Sequence, residues 1–210
     1  EAVGHMTERV IIPPLDDIEY YPRRKPQAPP SDGYLPYHPD PDGVPAMACA
    51  GEGYHIHVTG LTHNEKGYPA TVSVEAQQKL VLRLIRKIRD NQDDIVELVE
   101  DQVKGADVVV VAYGISARTA ARPVRLAREM GLKVGLLKLV TVWPFAEDRV
   151  QELASQVKAF VVPEINMGQI ALEVERCARG QAQTILIPHA GGGLHDPEDV
   201  LEAIKRGSSS

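Results

Sequence analysis

Cysteine is scarce in this sequence. Its 210 residues contain two, Cys49 and Cys177, which excludes a disulfide-rich scaffold and any four-cysteine iron–sulfur site built from this chain alone. Long apolar runs are missing too. None approaches the roughly 20 residues needed to span a bilayer, and the opening EAVGHMTERV lacks the basic and apolar zones of a signal peptide. Excess positive charge is absent as well: Lys+Arg number 23 against 29 Asp+Glu, a net charge of −6. That balance offers no broad attraction to nucleic acid or anionic lipid. No G-x-x-x-x-G-K-[ST] phosphate loop occurs anywhere. These absences argue against nucleic-acid, membrane and cluster-holding roles, and make the cytoplasm the expected compartment.

What is present is a repeat. Between 107 and 169 three apolar runs, DVVVVAYG, KVGLLKLVTV and AFVVPE, each lead through a Gly- or Pro-marked turn into a helix-like segment. The pattern predicts strands at 107–113, 133–140, 159–162 and 183–187, alternating with helices at 116–130, 146–156, 168–178 and 197–205. Such alternation points to right-handed crossovers and a mainly parallel sheet in a three-layer α/β/α domain. The unbroken apolar character of DVVVVA and AFVV suits strands covered on both faces. Gly131 is placed to stop one helix and Asp196-Pro197 to start the last. Cys177 follows the apolar pattern of its helix and reads as a buried small hydrophobe. Gly207-Ser208-Ser209-Ser210 reads as a frayed, disordered tail.

Upstream the composition changes. Ten of the sixteen prolines lie between Pro13 and Pro45, so this stretch can be neither regular helix nor central strand. An extended arm over 13–52 is expected. Tyr20, Tyr21, Tyr34, Leu35 and Tyr37 give it more apolar area than a solvated linker needs, which points to an arm lying across a neighbouring domain or subunit. The segment YHIHVTG alternates Tyr54, Ile56 and Val58 against His55, His57 and Thr59, predicting a strand. Ser73 is placed to cap a helix from Val74 to about Asn91, whose Lys79, Arg83, Arg86, Lys87 and Arg89 read as a solvated face. A short helical or irregular piece is expected at 94–104. Residues 53–206 are expected to form the main domain. Ala2, Val3, Met6 and Val10 carry helical spacing with no capping residue ahead, so residues 1–12 read as the end of a preceding domain and the chain as part of a longer polypeptide.

Three turns hold the polar residues that chemistry would need. The turn YGISAR follows a strand and precedes a helix; Gly114 allows the bend, Ser116 is placed to cap and Arg118 adds charge. Free amides there would suit an anion, although G-x-G-x-x-G spacing is absent and ordinary capping accounts for the same residues. Glu164, Asn166, Gly168 and Gln169 gather where an apolar strand ends, a set suited to a fixed polar contact with another chain or loop. HAGGGLHDP, 189–197, is either an anion cradle or a flexible connection. The densest titratable set is Thr62, His63, Asn64, Glu65 and Lys66, suited to proton transfer or to gating a charged substrate, with a plain polar loop as the alternative. His55-x-His57 lacks a third ligand, so no metal site is expected. No catalytic residue is secure.

In chain order GHMTERVIIP, the proline-rich arm, TGLTHNEKG, IRDNQDDI, VVVVAYGISAR, GLKVGLLKLVTVWPF, VVPEINMGQI and the glycine loop resemble the C-terminal part of the α subunit of 2-oxoacid:ferredoxin oxidoreductases, most closely the 2-oxoglutarate type. The resemblance covers almost the whole chain. TGLTHNEKG and WPF followed by PEINMGQ carry it in combination. It implies a transketolase C-terminal-like domain in an enzyme that decarboxylates a 2-oxoacid on thiamine diphosphate, passes electrons through iron–sulfur clusters to ferredoxin and forms an acyl-CoA. Thiamine diphosphate, magnesium, an iron–sulfur cluster and CoA are thereby implied for the complete complex, and no cofactor for this chain alone. The implied partners are the β subunit, the rest of the α subunit and ferredoxin, with a homo-oligomer of the complex in view. The thiamine-pyrimidine domain would precede residue 1, so this part would brace the others, with His63–Glu65 nearest the active-site entrance and Asn166 and Gln169 at a domain or subunit contact. Many relatives have an acidic residue where Asn64 stands, which argues against proton transfer at that position. A stand-alone small-anion or nucleotide module, and the C-terminal domain of a transketolase or 2-oxoacid dehydrogenase component, are the alternatives.

Overall fold

The computed structural model describes residues 11–209, so most of the expected end of a preceding domain, residues 1–12, lies outside them. The chain divides into two compact units, 11–93 and 94 onward. The boundary therefore falls at 93/94, not at 52/53 as the composition suggested. The segment 53–93 groups with the proline-rich arm.

The second unit is a five-stranded sheet, β1 (Leu98–Asp101), β2 (Val108–Tyr113), β3 (Val134–Leu139), β4 (Ala159–Glu164) and β5 (Gln183–Pro188), in the order β1-β3-β2-β4-β5. Strands β2 to β5 run parallel, and β1 pairs antiparallel along the outer edge of β3. Two-residue periodicity divides the core between the faces of the sheet. Val109, Val111, Leu137, Phe160 and Val162 join one apolar cluster, while Val108, Val110, Ala112 and Val161 join the other. Helices α4 (Glu147–Ala154) and α5 (Gln169–Ala178) cover the first face with Val150, Leu153 and Val174; α3 (Gly114–Glu129) and α6 (Pro197–Ser208) cover the second with Ala120, Val124, Ala203 and Ile204. The expected α/β/α architecture is the one observed.

Three local expectations fail here. A strand, β1, occupies the stretch expected to be helical or irregular. It is an edge strand with exposed Val99, so its short LVED carries too little apolar alternation to announce itself. Helix α3 starts at Gly114 with no side-chain cap, and Ser116 is buried inside its first turn rather than capping it. The C-terminal Gly207 and Ser208 are not frayed: α6 runs through Ser208, and Gly207 is buried. A Cβ at Gly207 would come 2.9 Å from the Cβ of Ala159, so this glycine permits close helix-to-strand approach instead of breaking the helix.

The first unit, 11–93, contains α1 (Val74–Arg89), capped as expected by the Ser73 hydroxyl accepting from the Ala76 amide, and the start of a short helix α2 (Gln92–Ile95). YHIHVTG is not a strand. It has no ladder partner, and Val58 is 75% exposed. The arm instead packs locally: the rings of Tyr34 and Tyr54 meet edge-on at 5.0 Å, and the Tyr34 hydroxyl donates to Ala46 O at 2.7 Å. Tyr20 and Tyr21 remain exposed. No helix among the described residues is long and apolar enough to cross a membrane.

Candidate functional site

The strand order dictates where the parallel sheet opens. From β2 the chain crosses to β3 on one side, while β4 and β5 lie on the other. The switch point therefore lies between the carboxyl ends of β2 and β4, where open α/β sheets bind their ligands. Tyr113 ends β2 and Glu164 ends β4. Between them the chain fills its own crevice. Glu164 is fully buried, and its Oε1 accepts from Tyr113 OH at 3.0 Å, Asn166 Nδ2 at 3.1 Å and the Ile170 amide at 3.0 Å. Its Oε2 accepts from the Ala171 amide at 2.8 Å. These amides open α5, so the carboxylate stands where a bound anion would otherwise meet the helix N-terminus. Burial first, and then the hydrogen bond to Glu164, push the Tyr113 phenol above its ordinary value of 10.0.

Asn166 completes the corner, its Oδ1 accepting from the Gly168 amide at 2.7 Å and the Gln169 amide at 3.1 Å. The structure thus brings Glu164, Asn166, Gly168 and Gln169 together, but the carboxylate of Glu164 points inward. That corrects its expected place on a contact surface: two unpaired amides and a phenol drew it into the interior. The exposed residues of this turn are Met167 and Gln169. Gly114 and Arg118 are exposed at the start of α3 while Ser116 is buried. The missed participant is Tyr113; a polar aromatic ending an otherwise all-apolar strand was the available signal. In the glycine loop, buried His195 bonds through Nε2 to Ile187 O at 3.0 Å.

The 62–66 loop belongs to the other unit and has its own architecture. Asn64 builds it: its amide donates to Tyr68 O, and its Oδ1 accepts from the amides of Lys66 at 3.0 Å and Tyr68 at 3.2 Å. Gly67 has φ +86, and any Cβ there would collide with the carbonyl oxygen of His57, so only glycine closes this turn without strain. Thr62 donates its hydroxyl to Gln77. His63 stacks on Tyr37 with ring centroids 4.1 Å apart. Its Nδ1 donates to Leu61 O at 2.9 Å, leaving Nε2 as a buried acceptor with no partner. Glu65 Oε2 meets His38 Nδ1 at 3.0 Å. Tyr37 and His38 come from the arm, and no spacing in the sequence connected them to this loop. His63 and Glu65 border a cavity of about 930 Å³, walled on the far side by Lys79, Arg83, Arg86 and Lys87 of α1. His55 and His57 both face Tyr68. Among the described residues no three His, Cys, Asp or Glu side chains gather as a metal would require.

Residues 106–200, which include β2 to β5 and the filled crevice, match the family described as pyruvate:ferredoxin oxidoreductase core domain II. Outside residues 106–200 the similarity to known proteins extends over nearly the whole chain. It is 45% identical over 204 residues to the 2-oxoglutarate synthase subunit KorA of Methanocaldococcus jannaschii, covering 97% of this chain and 53% of that protein. With the subunit of the same name from Methanothermobacter thermautotrophicus it is 42% identical over 204 residues, covering 97% of this chain and 54% of that protein. The chain therefore spans about half the length of the curated relatives it matches. The chain shares its fold with a solved 2-oxoglutarate:ferredoxin oxidoreductase from Magnetococcus marinus with 2-oxoglutarate, coenzyme A and succinyl-CoA bound. The TM-score is 0.74 at 22% identity, over 93% of this chain and 34% of that one.

Proposed function

We propose that this chain is part of the α subunit of a thiamine-dependent, cytoplasmic 2-oxoglutarate:ferredoxin oxidoreductase, and that its role there is to hold neighbouring parts in place. The complete enzyme would convert a 2-oxoacid, CoA and oxidised ferredoxin to acyl-CoA, carbon dioxide and reduced ferredoxin. The observation that carries this reading is the 97% span of the chain in its alignment with 2-oxoglutarate synthase subunits. A shared sheet alone would leave residues 11–93 unmatched. The self-filled switch point supports a bracing role, because the amides that would hold a phosphate are occupied by Glu164.

The residues present do not fit the implied inorganic cofactors. Two cysteines cannot ligate a four-cysteine cluster, and the described residues gather no metal-ligand set. Thiamine diphosphate, magnesium and the cluster would be held by the β subunit and the remaining α subunit. What this chain would supply is a polar gate. His63, with its unpartnered Nε2, and Glu65, paired to His38, border the cavity and are the residues placed to meet a charged substrate near the active-site entrance. Met167 and Gln169 would contact a neighbouring domain or subunit.

The test is reconstitution of the chain with its thiamine-pyrimidine domain and β subunit. The expected outcome is ferredoxin reduction that depends on 2-oxoglutarate and CoA, with pyruvate a poor substitute. Correctly folded partners that assemble but give no oxoacid-dependent reduction would overturn the reading. Saturable nucleotide binding by the isolated chain would favour the small-anion module instead.

A further inference from the structure

The proline-rich segment brings Lys25, Cys49 and Glu52 to one point. Lys25 Nζ lies 2.8 Å from Cys49 Sγ and 2.7 Å from Glu52 Oε1. The other oxygen of Glu52 accepts from the Cys49 amide at 2.6 Å, so one carboxylate orients both the amine and the sulfur-bearing residue. Cys49 is exposed, and the side chains of Lys25 and Glu52 remain 50% and 39% exposed, so a small oxidant reaches the sulfur. The thiolate is the form by which cysteine reacts with peroxide, and the Lys25 amine is already within bonding reach of the sulfur. Lys25 is itself held charged well above the usual lysine range, chiefly by the hydrogen bond to Cys49 and then by that to Glu52. Cys177 provides the contrast: it is buried, and burial pushes its thiol up.

We propose that Cys49 and Lys25 form a peroxide-driven covalent switch, in which hydrogen peroxide oxidises Cys49 and the product bonds to Lys25. In the first step the thiolate sulfur attacks one peroxide oxygen and the O–O bond breaks. With one proton from solvent the products are a sulfenic acid and water; sulfur is oxidised by two electrons and peroxide reduced by two. The sulfur has then lost its negative charge, which removes the main interaction holding the Lys25 proton, and hydroxide from solvent takes that proton from the ammonium. In the second step the Nζ lone pair attacks sulfur, an N–S bond forms and the S–O bond breaks. The departing hydroxide leaves as water with a second proton from nitrogen. The chain loses two hydrogens in all, and one peroxide becomes two waters. The bond ties Lys25 to Cys49 across the segment that also carries the ion pairs of Arg24 with Asp40 and Asp42.

Mass spectrometry of the full chain tests this without any activity measurement. Trypsin leaves both residues on one peptide, because it does not cut the Lys25–Pro26 bond and no Lys or Arg lies between Lys25 and Lys66. After peroxide treatment, that peptide is expected to lose the mass of two hydrogens and Cys49 to resist alkylation, both reversed by dithiothreitol. Lys25→Arg keeps the positive charge but lacks a nucleophilic amine, so Cys49 should stop at a sulfenic acid that dimedone traps. Lys25→Met should slow Cys49 oxidation by about tenfold or more. The proposal is overturned if the unsubstituted chain shows no two-hydrogen loss, whether Cys49 stays a thiol or halts at the sulfenic acid. It is equally overturned if Lys25→Met oxidises as fast as the unsubstituted chain.

Discussion

Glu164 shows how one residue can satisfy a helix, a strand and a turn together. Its two oxygens meet four donors and no acceptor. A glutamine of the same shape must turn its NH₂ toward at least one N–H or O–H, so conservation of volume gives no protection. Glu164→Gln is expected to cost about 2–4 kcal/mol. Tyr113→Phe, which removes a single donor, should cost about 0.5–1.5 kcal/mol. Urea unfolding of the full chain compares the two, and equal losses would contradict the network as described. At this scale the sequence was half legible. PEINMGQ announced a polar corner, because charged and amide residues rarely end an apolar strand without a task. The direction of the carboxylate was not readable, since it depends on amides six and seven residues away and on a phenol from another strand. His38 and Tyr37 were hidden for the same reason: their partners in the 62–66 loop lie more than twenty residues on.

Among the elements, those built on burial were legible and those built on charge were not. β4 is buried along its whole length and β2 from Val108 to Ala112, and their continuous apolar runs declared them within one or two residues. β1 is different. It is held at the sheet edge by Arg149 Nε and Nη2 on the Glu100 carboxylate, at 2.5 and 2.8 Å, and by Arg128 on Asp101 at 2.8 Å. Neither arginine lies near β1 in sequence. The hydrogen bond from Arg149 holds the Glu100 carboxyl below its ordinary value of 4.5. A depressed folded-state value contributes stability that is present above pH 4.5 and lost as pH falls through the folded value. Protection factors of the β1 amides, corrected for the intrinsic exchange rate at each pH, are therefore expected to fall in acid below that range, and Glu100→Gln should lower them at neutral pH and leave them nearly indifferent to acid. An unchanged acid response in that variant would show that another group controls the edge. YHIHVTG makes the converse point: alternation specifies which face a strand presents, but a strand also requires a neighbour able to exchange hydrogen bonds with it.

At the scale of the molecule, the two units differ in what holds them. Every buried hydrophobic side chain in the described residues lies at Val103 or beyond, and the two apolar clusters close within residues 103–204. In 11–93 only Pro36 and Gly67 are buried. Polypeptide 94–210 is thus expected to unfold cooperatively on its own, whereas 11–93 alone should show no cooperative transition, since order there needs apolar area the unit does not bury. Circular dichroism during urea titration of the separate pieces distinguishes these outcomes, and a sharp transition in 11–93 would refute the assignment. This division was not legible, because proline content marks where regular structure stops and not where a core begins. The Glu164 corner also bears on how the larger unit assembles. Asn166 reaches only the first amide of helix α5, at Gln169; its Ile170 and Ala171 amides are satisfied by a carboxylate that reaches them only when β4 is seated in the sheet. The helix therefore acts as a reporter of that seating, and protection of those two amides from exchange should appear with β4 and vanish with it.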